Sequence, residues 1–196
     1  MSYHKNTPHY TDPDTGTSYA AIIDKVSGAA VNIDFAHHEL HEGDHYAIKN
    51  VVDLSLNNVF DLRVKTPNTA KWAHLTVMLM TEVETEFYLY ENVTLTTSGT
   101  AASSYNRNRN STNTAGIILS TVTSAATSTA NTLTGLTSAS ALSHGYMGSG
   151  FIDGGQTDTR MEWILKQNTA YSLRIIATAA GYTDYLLDWY EHTNEY

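Results

Sequence analysis

Residues 160–190 read RMEWILKQNTAYSLRIIATAAGYTDYLLDWY, and their periodicity decides the fold class. Met161, Trp163 and Leu165 alternate with Arg160, Glu162 and Lys166. Asn168-Thr169 supplies a turn. Tyr171, Leu173 and Ile175 then alternate with Ser172 and Arg174. Beyond Gly181, Tyr185, Leu187 and Trp189 alternate with Asp188 and Tyr190. A period of two belongs to a strand, because successive side chains of a pleated backbone point to opposite faces. Three such runs with turn residues between them predict antiparallel strands, one face turned to a core and the other to water.

The pattern recurs upstream. Val31, Ile33 and Phe35 alternate with Asn32 and Asp34, and residues 46–56 form a second candidate strand. Phe60, Leu62 and Val64 alternate with Asp61, Arg63 and Lys65 until Thr66-Pro67-Asn68, where proline has no N–H to give a ladder. Residues 72–80 put Leu75, Val77 and Leu79 on one face. Val83, Thr85, Phe87 and Leu89 share a face, opposite Glu82, Glu84, Glu86, Tyr88 and Tyr90. The three glutamates mark that second face as wet near its start, since like charges on one strand face repel when buried. Residues 117–122 are a short apolar run. Residues 123–143 are almost wholly Ser, Thr, Ala, Asn, Gly and Leu, and read either as a long loop or as an edge ribbon. Residues 36–42 allow a turn or two of helix. About eight strands result, so the expected fold is all-β: an antiparallel β-sandwich, jelly-roll-like, with a polar N-terminal arm and a long Ser/Thr/Ala-rich loop. Residues 1–28 are expected to be a polar N-terminal arm and lead-in, loose to about Gly16. Residues 29–196 are the expected sandwich domain.

Composition excludes several function classes. A chain of 196 residues suits one substantial domain with its own core. Charged residues are 16% and hydrophobic ones 41%, a globular rather than a disordered balance. Lys plus Arg is 11 against 20 for Asp plus Glu, so phosphate backbones are not attracted and no nucleic-acid partner is expected. There is no cysteine, which rules out disulfides, thiolate metal sites and a cysteine nucleophile, and fits a reducing cytoplasm. Residues 1–8 lack the apolar stretch of a signal peptide, and no run reaches membrane-spanning length; a soluble protein without a membrane partner is expected.

No constellation carries recognisable catalysis. The motifs of serine hydrolases, phosphate loops and dinucleotide folds are missing, and Gly148-Ser149-Gly150 is ordinary turn chemistry. Glu84 and Glu86 can be imagined as a glycosidase pair, but glutamates on a solvated strand are far commoner. Asn92-Val93-Thr94 and Asn110-Ser111-Thr112 match glycosylation sequons without an export signal to give them meaning. The segment His37-His38-Glu39-Leu40-His41-Glu42-Gly43-Asp44-His45 is one residue short of the zinc-protease spacing. On a helix His37 and His41 would share a face; on a strand His37, Glu39 and His41 would. An exposed connector is the plainer reading, so no metal and no cofactor are expected. Tyr105-Asn106-Arg107-Asn108-Arg109-Asn110-Ser111 reads either as an exposed loop or as a contact loop with forked guanidinium donors. Trp72, Trp163, Trp189 and Tyr190 suit core packing first and sugar stacking second.

Five strings together resemble the head decoration (auxiliary capsid) proteins of tailed bacteriophages. They are His41-Glu42-Gly43-Asp44-His45-Tyr46, Leu89-Tyr90-Glu91, Tyr105 to Ser111, Glu162 to Tyr171, and Leu187-Asp188-Trp189-Tyr190-Glu191-His192. The resemblance implies a β-sandwich on the outside of a virion capsid, made in the host cytoplasm. It implies binding to the major capsid protein as a homo-oligomer, with a trimer favoured, and no catalysis. It assigns no role to single residues. Partner contacts are expected at Tyr3 and Tyr10 in the arm and at Tyr105, Arg107 and Arg109 in the loop. The alternative is a carbohydrate- or receptor-binding sandwich of a head fibre or tail.

Overall fold

The structure is a computed structural model that describes residues 9–11, 18–20, 35–95, 99–125, 133–134, 141–148, 152–153 and 162–193. The chain divides into two compact units, Met1–His38 and Glu39–Tyr196. In the first, β1 (His9–Thr11) pairs antiparallel with β2 (Ser18–Ala20), Tyr10 opposite Tyr19. The stretch read as a loose tail therefore contains one strand of a hairpin. Residues 31–34 of the Val31–Phe35 strand expectation lie outside the described residues. Phe35 itself opens a helix, α1 (Phe35–Glu42), two turns long, as residues 36–42 allowed.

The second unit is a β-sandwich. Its strands are β3 (His45–Leu54), β4 (Asn58–Lys65), β5 (Lys71–Thr81), β6 (Thr85–Glu91), β7 (Thr94–Leu95), β8 (Thr100–Ala102) and β9 (Tyr105–Asn106). Then follow β10 (Ile118–Ala125), β11 (Leu133–Thr134), β12 (Ala141–Met147), β13 (Ile152–Asp153), β14 (Trp163–Leu165), β15 (Ala170–Ala177) and β16 (Gly181–Thr193). One six-stranded sheet runs β12-β6-β15-β4-β10-β8. The facing sheet runs β13-β5-β16-β3-β9, with β14 also on β5. A short ribbon pairs β11 with β7. Eight strands trace a jelly roll: β3-β16-β5-β14 in one sheet and β4-β15-β6-β12 in the other. The chain changes sheet at every step from β3 to β6 and again from β14 to β16. Of the Ser/Thr/Ala tract, residues 123–125, 133–134 and 141–143 belong to β10, β11 and β12, and the others lie outside the described residues.

The inward faces are the ones the alternation named. Phe60, Leu62 and Val64 of β4 meet Leu75 and Leu79 of β5 and Tyr171, Leu173, Ile175, Tyr185, Leu187 and Trp189 in one core. The rings of Phe60 and Tyr185 lie 5.2 Å apart across the two sheets. Each such side chain taken from water contributes about 1.5–3 kcal/mol. Three asparagines, Asn57, Asn92 and Asn168, take positive φ of 62°, 59° and 49° at strand-end turns. Asparagine tolerates that conformation better than other non-glycine residues.

Candidate functional site

The outward side of the β13-β5-β16-β3-β9 sheet collects the unexplained chemistry. Register sets its rows. Tyr190 pairs with His45 and His74, Asp188 with Ala47 and Thr76, Leu186 with Lys49 and Met78, and Asp184 with Val51 and Met80. Among the described residues nine large apolar side chains are exposed, and six of them lie on this face or its edges: Val51, Trp72, Met80, Tyr105, Ile164 and Tyr182.

The end of the face nearer β9 is polar and aromatic. Arg107 Nη1 donates to Asp188 Oδ2 at 2.9 Å, and His45 Nε2 lies 3.1 Å from the same oxygen. The backbone N–H of Arg107 donates to the carbonyl of His45 at 2.8 Å. Tyr190 stacks on His74, rings 4.6 Å apart, and meets the edge of His45. The Tyr190 hydroxyl donates to Glu162 Oε1 at 2.6 Å. His74 Nδ1 lies 2.5 Å from that oxygen, and His74 Nε2 lies 2.9 Å from Nε2 of His192.

Of the five expected contact residues, two belong to this face. Tyr105 sits on its edge strand, pairing with Ala47, and Arg107 is held by Asp188. Arg109 is exposed, and its Nη1 donates to the carbonyl of Asn106 at 3.2 Å within its own turn. Tyr10 lies on β1 in the first unit, and Tyr3 lies outside the described residues. The sequence reading missed His45, His74, Glu162, Asp188 and His192 as a group. The available signal was the alternation of Asp188, Tyr190 and His192 opposite the inward Trp189 and Glu191.

The asparagines of the Arg/Asn string are structural. Asn106 Nδ2 donates to the carbonyls of Gly43 (2.6 Å) and Asn113 (3.1 Å), and Asn108 Nδ2 to the carbonyl of His41 (3.0 Å). Two of those carbonyls, His41 and Gly43, sit at the end of α1, where helix C=O groups lack internal partners. Gly43 has φ +82°, and a Cβ there would come within 2.3 Å of the Ser111 hydroxyl. The loop and the His-rich segment are thus stitched together. Asp44 joins in, accepting from Lys71 Nζ at 2.6 Å, Tyr46 Oη at 3.1 Å and Asn113 Nδ2 at 3.2 Å. Segment 37–45 is helix and then strand, and no group of three His, Asp or Glu side chains able to hold a metal forms among the described residues.

The outward side of the other sheet differs. Asp61 and Arg63, which alternate with the inward residues of β4, are fully buried as well. Arg174 forks onto Asp61, Nε to Oδ1 and Nη2 to Oδ2, both at 2.8 Å, and Ser172 Oγ adds a bond at 3.1 Å. A paired and hydrogen-bonded charge tolerates burial that a lone one does not. Burial lowers the pKa of Arg63. Beyond them Tyr88 stacks on His144 with rings 4.2 Å apart and 2° from parallel, beside Tyr90 and the exposed Tyr146. Glu86 accepts from Tyr88 and from His144, and these hydrogen bonds, the Tyr88 one foremost, hold its carboxyl below the usual range. The same bond pushes the Tyr88 hydroxyl up.

No family model, no curated protein and no solved structure matches this chain.

Proposed function

We propose that this chain is a structural virion protein of a tailed bacteriophage, which decorates and stabilises the outer capsid by binding the lattice of the major capsid protein. One observation carries the reading: the β13-β5-β16-β3-β9 sheet leaves an extended face with Val51, Met80, Tyr182, Trp72 and Ile164 exposed beside the Arg107–Asp188 pair. Exposed apolar area gathered in one place marks a contact surface. His45, Arg107, Glu162, Asp188, Tyr190 and His192 on this face all fall within the strings that resemble decoration proteins. A protein that adds to a finished shell gains affinity by engaging several subunits at once, and a homo-oligomer, trimeric for preference, does so without stronger single contacts. The role is binding rather than catalysis.

The test adds purified protein to expanded empty heads and to monomeric capsid protein. Binding is expected to heads alone, and bound heads should withstand higher temperature than bare ones. Val51→Asp with Met80→Asp should weaken binding at least about tenfold, since charge is disfavoured at an interface core. Deleting residues 1–16 tests the arm separately. If the protein ignores heads, the reading fails.

A second reading has its own observation. The stacked Tyr88, His144 and Tyr146 beside the Glu86 carboxylate suit a sugar ring and its hydroxyls. A carbohydrate-binding module would bind a glycan array and lose that binding in Tyr146→Ala.

A further inference from the structure

His192 of β16 pairs in register with Trp72, and Tyr190 with His74, so the two histidines are diagonal neighbours on adjacent strands. Their Nε2 atoms are 2.9 Å apart. The other nitrogen of each ring fixes what that contact means. His74 Nδ1 lies 2.5 Å from Glu162 Oε1 and 3.0 Å from the Tyr190 hydroxyl, which gives its own hydrogen to Glu162, and His192 Nδ1 lies 2.8 Å from the carbonyl oxygen of Thr193. A carboxylate and a carbonyl both accept, so each Nδ1 carries the hydrogen. A neutral imidazole protonated at Nδ1 presents a lone pair at Nε2. Two lone pairs then face each other at 2.9 Å, which is repulsive unless a proton or a metal ion lies between them.

Ring positions leave room for an ion. A straight N–H···N bond with both ring axes along the contact would set the ring centroids about 5.2 Å apart. Two rings turned towards one ion, each nitrogen about 2.05 Å from it and about 90° apart, would set the nitrogens about 2.9 Å and the centroids about 4.5 Å apart. The observed separations are 2.9 Å and 4.7 Å. The observed centroid separation lies nearer the value for two rings turned towards one ion, although a bent N–H···N bond also shortens it.

We propose that His74 and His192 bind a divalent first-row transition-metal ion through their Nε2 atoms, with Glu162 and the Thr193 carbonyl orienting the rings. Metal-ligating histidines characteristically give their other N–H to a carboxylate or a backbone carbonyl, and both do so here. Imidazole donors near a right angle suit nickel(II) and copper(II), whose sites are square-planar, tetragonal or octahedral, better than tetrahedral zinc(II). Two of the ion's ligands thus come from the described residues. This departs from the expectation of no metal drawn from segment 37–45, and it does not depend on the capsid reading.

The test titrates nickel(II) and copper(II) chlorides into the full chain by calorimetry. About one equivalent should bind, and the copper(II) spectrum should carry hyperfine splitting from two nitrogens. His192→Gln and His74→Gln should each weaken binding at least about tenfold, and Glu162→Gln by about 10–100-fold. The His37→Ala, His41→Ala pair should leave it unchanged. Circular dichroism checks each fold; should His74→Gln unfold, the half-buried His192 provides the decisive variant. No uptake at millimolar metal, undiminished uptake in His192→Gln, or loss in the 37/41 pair would overturn the site. A proton bridge would give the first of these results.

Discussion

Glu191 ends a string whose alternate residues face outward, yet its own carboxylate turns in beside Trp189. Its oxygens accept from the Gly116 N–H at 3.0 and 2.9 Å, the Ile117 N–H at 3.1 Å and Trp189 Nε1 at 3.0 Å. A Cβ on residue 116 would stand 2.7 Å from that carboxylate, so glycine is needed for the approach. Glu191→Ala strands three donors in the interior, each costing about 1–3 kcal/mol. We expect urea unfolding to report a loss of at least about 3 kcal/mol; a loss under about 1 kcal/mol would mean that water replaces the carboxylate. Glu86 makes a pH-dependent contribution. Its folded pKa lies below the ordinary 4.5, so it stabilises the fold above that pH, and the contribution disappears as pH falls through the folded value. Tyr88→Phe removes the principal donor. Its destabilisation should be larger at pH 7 than at pH 2, and equal losses at both would refute the assignment.

At the scale of elements, the loop of Asn106, Asn108 and Asn110 separates two roles that alternate along five residues. Asn106 and Asn108 bind the carbonyls of Gly43, Asn113 and His41, while the side chains of Arg107 and Arg109 are exposed. Asn108→Ala should speed hydrogen exchange in residues 41–45 and 105–111, whereas Arg109→Ala should leave it unchanged. Similar protection in both variants would remove the stitching role. Strand β14 was legible as an alternating run, and Leu165 is buried as expected. Trp163 is only half-buried against the core, and Met161 lies outside the described residues. Leu165→Ala should therefore cost about 2–4 kcal/mol and Trp163→Ala no more than the lower end of the range for fully buried aromatics. Strand β4 was legible in position but not on its outward face. Asp61 looked solvated because nothing local announces Arg174, 113 positions away.

For the whole molecule, the expectation is a far-ultraviolet spectrum dominated by strand, with helix far below the roughly one-third average of globular proteins. The proposed attachment to heads belongs to this scale too. It needs the apolar half and the polar half of one sheet face together, and these come from β3, β5, β9, β14 and β16. Arg107→Ala with Arg109→Ala should weaken head binding mildly and leave less salt dependence, since the lost contacts are exposed charges. Unchanged binding and salt slope would place the contact elsewhere.

Alternation within ten residues determined the strands, their inward faces and the all-β class, because pleating converts sequence parity into side-chain direction. Composition determined that thiolate chemistry is absent, because the sequence has no cysteine. Which strands would be neighbours was decided by the tertiary structure. Jelly-roll order pairs β16 with β3 and β5, residues more than a hundred positions apart, and a period of two is the same whichever partner a strand takes. The same crossing brought Arg107 to Asp188, Glu191 to Gly116 and His192 to His74. Each pair joins groups whose own neighbourhoods in sequence give no sign of the other, so only the pairing of distant strands and the packing of the sheets could create it.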